Sequence, residues 1–76
     1  MICQITLNST NDIKELNDVA FEYDGDIMVS SGRVYIDARS ILALFALVGK
    51  TVNLVFPDSE KPEKIYRLLK KINYLL

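Results

Sequence analysis

The sequence contains no histidine and no tryptophan, a single cysteine, three glycines and two prolines among 76 residues. Without histidine there is no imidazole base, no imidazole metal ligand and no phosphoryl-accepting ring nitrogen. With Cys3 alone, an intrachain disulfide is impossible and no CxxC partner activates the thiol. Its place in an alternating apolar run reads as a small core hydrophobe. Three isolated glycines make no phosphate-cradling loop. No apolar run approaches the ~20 residues of a membrane span, and no basic-then-apolar leader opens the chain. A soluble, cytoplasmic protein without cofactor or metal is the expectation. It is expected not to be an enzyme, since no activating group accompanies any candidate nucleophile.

What is present is an apolar half and a balanced charge, 50% hydrophobic residues with a net charge of −1. A chain of this length makes one domain, 1–76, near the lower size at which a single core holds a fold without staples. The charge is unevenly spread. Through Asp37 seven acids face Lys14 and Arg33, and beyond it seven bases face Asp58, Glu60 and Glu63. Helix outer faces account for this better than a nucleic-acid surface, which would carry a basic excess interleaved with aromatics.

The punctuation divides the chain into seven short elements. Ile2-Cys3-Gln4-Ile5-Thr6-Leu7 alternates with the period of a half-buried strand. The capping residues Asn8-Ser9-Thr10-Asn11-Asp12 precede Ile13, Leu16, Val19 and Ala20 at helical spacing, so an amphipathic helix of about 10–12 residues is expected. Asp24-Gly25 ends it. Asp26–Ser30 and Arg33–Asp37 read as two strands of a hairpin turning through Ser31-Gly32. A second helix should begin after Asp37, with Ser40 and Asp37 as caps, and close at Gly49, a residue suited to the left-handed position after a helix. Thr51–Phe56 is the fourth strand. Pro62 opens a terminal helix lined by Ile65, Leu68, Leu69, Ile72 and Leu76. The order βαββαβα fits an α+β two-layer sandwich with helices packed on one face of a mainly antiparallel sheet.

The stretch from Val34 to Phe56, a strand, a serine-bearing helix and a strand, resembles the HPr family, the small phosphocarriers of the sugar phosphotransferase system. Arg39-Ser40-Ile41-Leu42 is its most specific piece, similar to the family's basic residue, regulatory serine and two apolar residues at the start of the second helix. The resemblance implies an HPr-like open-faced sandwich, a four-stranded sheet with three helices on one face. It covers the whole chain only by element order. The connection Val48-Gly49-Lys50-Thr51 is shorter than the family's usual one. The family's Gly-(Leu/Ile)-His-Ala-Arg-Pro motif gives way to Asn8-Ser9-Thr10-Asn11-Asp12-Ile13-Lys14. The acceptor histidine and the arginine beside it are both missing from that loop, where Ser9, Thr10 or Asn11 reads as a helix cap.

By this resemblance Ser40 is a candidate for regulatory phosphorylation. In some bacterial lineages the matching serine is the substrate of a dedicated kinase, and its phosphorylated form binds a transcription regulator in catabolite regulation. The alternative reading is a helix cap and nothing more. Ile41 to Val48 is apolar all round, more than a helix on an open layer can bury. Ile41, Leu44, Leu47 and Val48 are expected to face the sheet. The family pattern implies that Leu42 and Phe45 are the exposed pair, and with it Ile41, Leu42 and Phe45 become a candidate partner-binding patch, the alternative being a terminal helix or loop folded over it. The partner would be a phosphotransferase-system component, the serine kinase or a transcription regulator, or else a second copy of the chain. Two further readings stay open: a structural or oligomerising protein of this fold unrelated to sugar transport, and a phosphocarrier using another acceptor.

Overall fold

The computed structural model describes residues 2–23, 25–57, 63, 67 and 70. The elements run β1 (Ile2–Thr6), α1 (Thr10–Glu22), β2 (Met28–Ser31), β3 (Val34–Asp37), α2 (Ile41–Phe45) and β4 (Thr51–Val55). The strands form one antiparallel sheet in the order β1-β4-β2-β3. β4 thus lies between the first strand and the hairpin.

Alternation along the strands decides the two faces. Ile5 and Leu7, Val29, Val52, Leu54 and Phe56 point inward and are buried, while Gln4, just before Ile5, and Asn53, between Val52 and Leu54, are exposed. Against the inner face α1 lays Ile13, Leu16, Val19 and Ala20, and Leu44 and Leu47 complete the same core. Tyr23, at the end of α1, meets Phe56 edge to face with ring centroids 6.1 Å apart. Cys3 is half-buried against this core, in keeping with a packing role.

Helix α1 starts as its residues suggest. The Ser9 hydroxyl accepts from the Asp12 amide at 3.3 Å, and the Asp12 carboxylate reaches back to the Asn8 amide at 2.9 Å. This reciprocal capping satisfies one main-chain donor in the first turn and one just ahead of the helix. The helix has 13 residues, slightly more than expected.

Several local expectations are corrected. In the hairpin, Ser31 pairs with Val34, so the two turn residues are Gly32 and Arg33, one position later than Ser31-Gly32. Gly32 supplies the positive φ, +60°. Strand β2 begins at Met28 rather than Asp26. The second helix does not reach Gly49: α2 has five residues, and the chain then tightens. Ala46, Leu47 and Val48 donate to Ala43, Leu44 and Phe45, each three residues back. In such a three-residue turn Leu44 and Leu47 stack on one side. Val48, which a regular helix would place over Leu44, is instead carried to the surface.

The tight turn ends where β1 ends. The Gly49 amide donates to the Leu7 carbonyl at 2.6 Å, and the Leu7 amide donates to the Lys50 carbonyl at 3.0 Å. Two residues therefore oppose one, with Gly49 at φ +84°, the arrangement of a glycine-type β-bulge. The short connection from α2 to β4 is thus part of the sheet itself.

Of the expected third helix, Glu63, Arg67 and Lys70 are described; they have helical backbone and are exposed. Its apolar positions Ile65, Leu68, Leu69, Ile72 and Leu76, and Pro62, lie outside the described residues. Two helices, α1 and α2, are therefore what the described part of the chain packs on the sheet.

Candidate functional site

The entry to α2 is built from the end of β3. Asp37 is the last strand residue, and its carboxylate turns back on the next loop, accepting from the Arg39 amide at 2.9 Å. The Arg39 side chain grips the same carboxylate through Nε (3.2 Å) and one terminal nitrogen (2.9 Å), and that nitrogen also reaches Asp26 at 2.9 Å. The guanidinium thus ties the segment just ahead of β2 to the end of β3. Hydrogen bonds from the Arg39 side chain and then its amide hold the Asp37 carboxyl below the usual carboxylate range, and the same pair raises the Arg39 guanidinium above its ordinary value.

Ser40 follows, exposed, at the N-cap position of α2. Its carbonyl accepts the first helical bond, from Leu44 at 3.1 Å, and its amide donates to the Asp37 carbonyl at 2.9 Å. Its hydroxyl makes no capping bond, because with ψ at 80° the backbone departs from usual cap geometry. The expected cap by Ser40 and Asp37 is corrected accordingly: the Asp37 side chain serves Arg39, and the Ser40 hydroxyl is left to solvent.

Beyond Ser40 the apolar residues separate. Leu42 is 84% exposed, the most exposed large hydrophobic residue among those described. Ile41 and Phe45 are half-buried and pack on the rim of the core. Phe45, expected as the exposed partner of Leu42, sits lower because its ring packs against the core cluster. Ser40, Ile41, Leu42 and Phe45 thus run along α2 from its N-cap to its last residue, with Leu42 outermost.

Two features escaped sequence reasoning. Asn17 is buried on the inner side of α1, and its side-chain amide donates to the Ala38 carbonyl at 3.1 Å. It pins α1 to the loop leading into α2. A polar residue between Leu16 and Ala20 on an apolar helix face was the available signal. The ion cluster of Asp26, Asp37 and Arg39 was equally unforeseen, since only the hairpin register brings Asp26 beside the loop. Among the described residues no cluster of histidine, cysteine, aspartate and glutamate suits a metal ion, and no helix is long and apolar enough to cross a membrane.

No protein-family model and no curated protein matches the sequence. Solved structures do match the fold. HPr-C-His from Thermoanaerobacter tengcongensis superposes with a TM-score of 0.71 at 18% identity, covering 100% of this chain and 99% of that one. The phosphocarrier protein HPr from Bacillus anthracis str. Ames gives 0.67 at 14% identity, covering 93% and 94%. The chain has the HPr fold. At these identities the likeness lies in the path of the backbone, and it extends the resemblance of Val34 to Phe56 to the rest of the chain. In this HPr-like frame the loop before α1 carries the Ser9 cap, and no histidine stands there or elsewhere in the sequence.

Proposed function

We propose that the protein is a non-catalytic, HPr-like binding or regulatory module that docks a protein partner through α2, with Ser40 as its phosphorylation switch. Supporting this reading above all is an uncommitted Ser40 hydroxyl two residues from the fully projecting Leu42. Leu42 supplies the apolar anchor, and Ile41 and Phe45 form the rim around it. A kinase would transfer the γ-phosphoryl group of ATP to Ser40 Oγ as its proton leaves, adding about two negative charges beside the patch. That changes the affinity of any partner seated on Leu42.

Phosphoryl relay in the manner of a carrier needs a nitrogen nucleophile, and the chain has no histidine. A hydroxyl would form a stable ester there instead of a donor. The partner class that fits is a component of the phosphotransferase system, the serine kinase of HPr or a regulator that reads the phosphoserine form. Intact-mass measurement tests this. One phosphate should be added by the HPr serine kinase and none in Ser40→Ala, with no mass gain from the upstream phosphotransferase. A gain from the upstream enzyme would sink the reading, and no gain from either would favour a purely structural or oligomerising protein.

A further inference from the structure

The sheet order leaves β3 at a border. Ala38, just past the strand, donates to the Ile27 carbonyl at 2.9 Å, continuing the ladder with β2. Bonds to a neighbouring strand alternate along the chain, so Ile36 and Val34 also address β2, while Tyr35 and Asp37 turn their main-chain groups outward. Among the described residues no strand takes up that side. Tyr35 is 63% and Val34 49% exposed.

Border strands are normally protected by charge of one sign, proline or a bulge. Here the segment Arg33-Val34-Tyr35-Ile36-Asp37 carries a base at one end and an acid at the other. Reversed about Tyr35 it is its own complement: Val34 falls opposite Ile36 and Arg33 opposite Asp37. The charges agree with this beyond the simple pairing. Asp26, Arg39 and Asp37 together carry one positive and two negative charges, while Arg33 has no ion pair among the described residues.

We propose that two copies of this chain associate through β3 in an antiparallel, two-fold register centred on Tyr35, joining two four-stranded sheets into one. Tyr35 of each copy exchanges both main-chain hydrogen bonds with Tyr35 of the other. On the open face the two Tyr35 rings stand side by side, flanked by Arg33 of each copy against Asp37 of the other, which neutralises the excess charge of each acidic cluster. On the helix face Val34 meets Ile36 of the second copy. The partner is a second copy because the register is self-complementary in apolar pairing and in charge at the same time. A ladder this short buries less than a standard interface of about 1,600 Å², so self-association is expected only at high concentration, with Kd between about 10 μM and 1 mM. The surface is separate from α2, and the inference does not depend on the role of Ser40.

Sedimentation of the full chain up to about 1 mM should show a monomer–dimer equilibrium, and Arg33→Asp should weaken it about tenfold or more by setting like charges opposite each other. Register is read by cross-linking in a Cys3→Ser background. Tyr35→Cys places the two cysteine Cα atoms about 5.5 Å apart, within reach of a disulfide, and should link under mild oxidation. Val34→Cys sets them diagonally beyond about 7 Å and should not. A monomer at every concentration, an Arg33→Asp chain that dimerises unchanged, or Val34→Cys linking as fast as Tyr35→Cys would each overturn the proposal.

Discussion

The side-chain amide of Asn17, buried on α1, donates to the main-chain carbonyl of Ala38 at 3.1 Å, joining the first helix to the loop that delivers Arg39 and Ser40. Asn17→Ala should cost about 1–3 kcal/mol, because the buried carbonyl loses its partner where water does not replace it. Urea denaturation checks this, and Asn17→Asp should be worse, since it buries a charge beside a carbonyl oxygen.

Gly49 and Leu7 are coupled through the bulge that closes the short connection. A Cβ added at Gly49 meets nothing within 4 Å, so the cost of Gly49→Ala is backbone conformation alone. At φ +84° that cost should be about 1–2 kcal/mol in thermal or urea unfolding. Gly49→Asn should lose less, because asparagine tolerates left-handed backbone.

The two serines at helix starts should behave differently. Ser9→Ala removes a bond to the Asp12 amide and should cost about 1 kcal/mol. Ser40→Ala removes no capping bond and should stay within about 0.5 kcal/mol of the parent. Equal losses in urea melts would contradict this assignment of the caps.

Because Arg39 lowers the Asp37 carboxyl in the folded state, this group binds its proton less readily folded than unfolded. Its contribution is present above the unfolded value, the ordinary 3.8, and disappears as pH falls through the lower folded value. Arg39→Gln should move the Asp37 titration, followed by carboxyl NMR, upward toward 3.8 and flatten the acid limb of stability below that pH.

The period-two alternation of Ile2–Thr6 and Thr51–Val55, the capping cluster before Ile13, and the glycines at 32 and 49 are local signals, each resting on residues adjacent in the chain. From them the order of elements, the α+β class and most of the core were legible. The resemblance around Arg39-Ser40-Ile41-Leu42 then pointed to the fold that the solved structures of HPr share with this chain. Where α2 ends was not legible, since its apolar residues suit a regular helix as well as a tighter turn. The need to bring Gly49 to Leu7, 42 positions apart in the chain, decides between them.

The sequence by itself determined what chemistry is excluded, because the absence of an imidazole holds in any conformation, and it determined which residues favour helix or strand. Only the tertiary structure decided that Leu42 projects while Phe45 sinks to the rim, that Asp37 serves Arg39 instead of the helix, and that Tyr35 lies on the border strand of the sheet. Those outcomes depend on contacts between residues remote in the chain, and such contacts exist only once strand register and helix packing have been set.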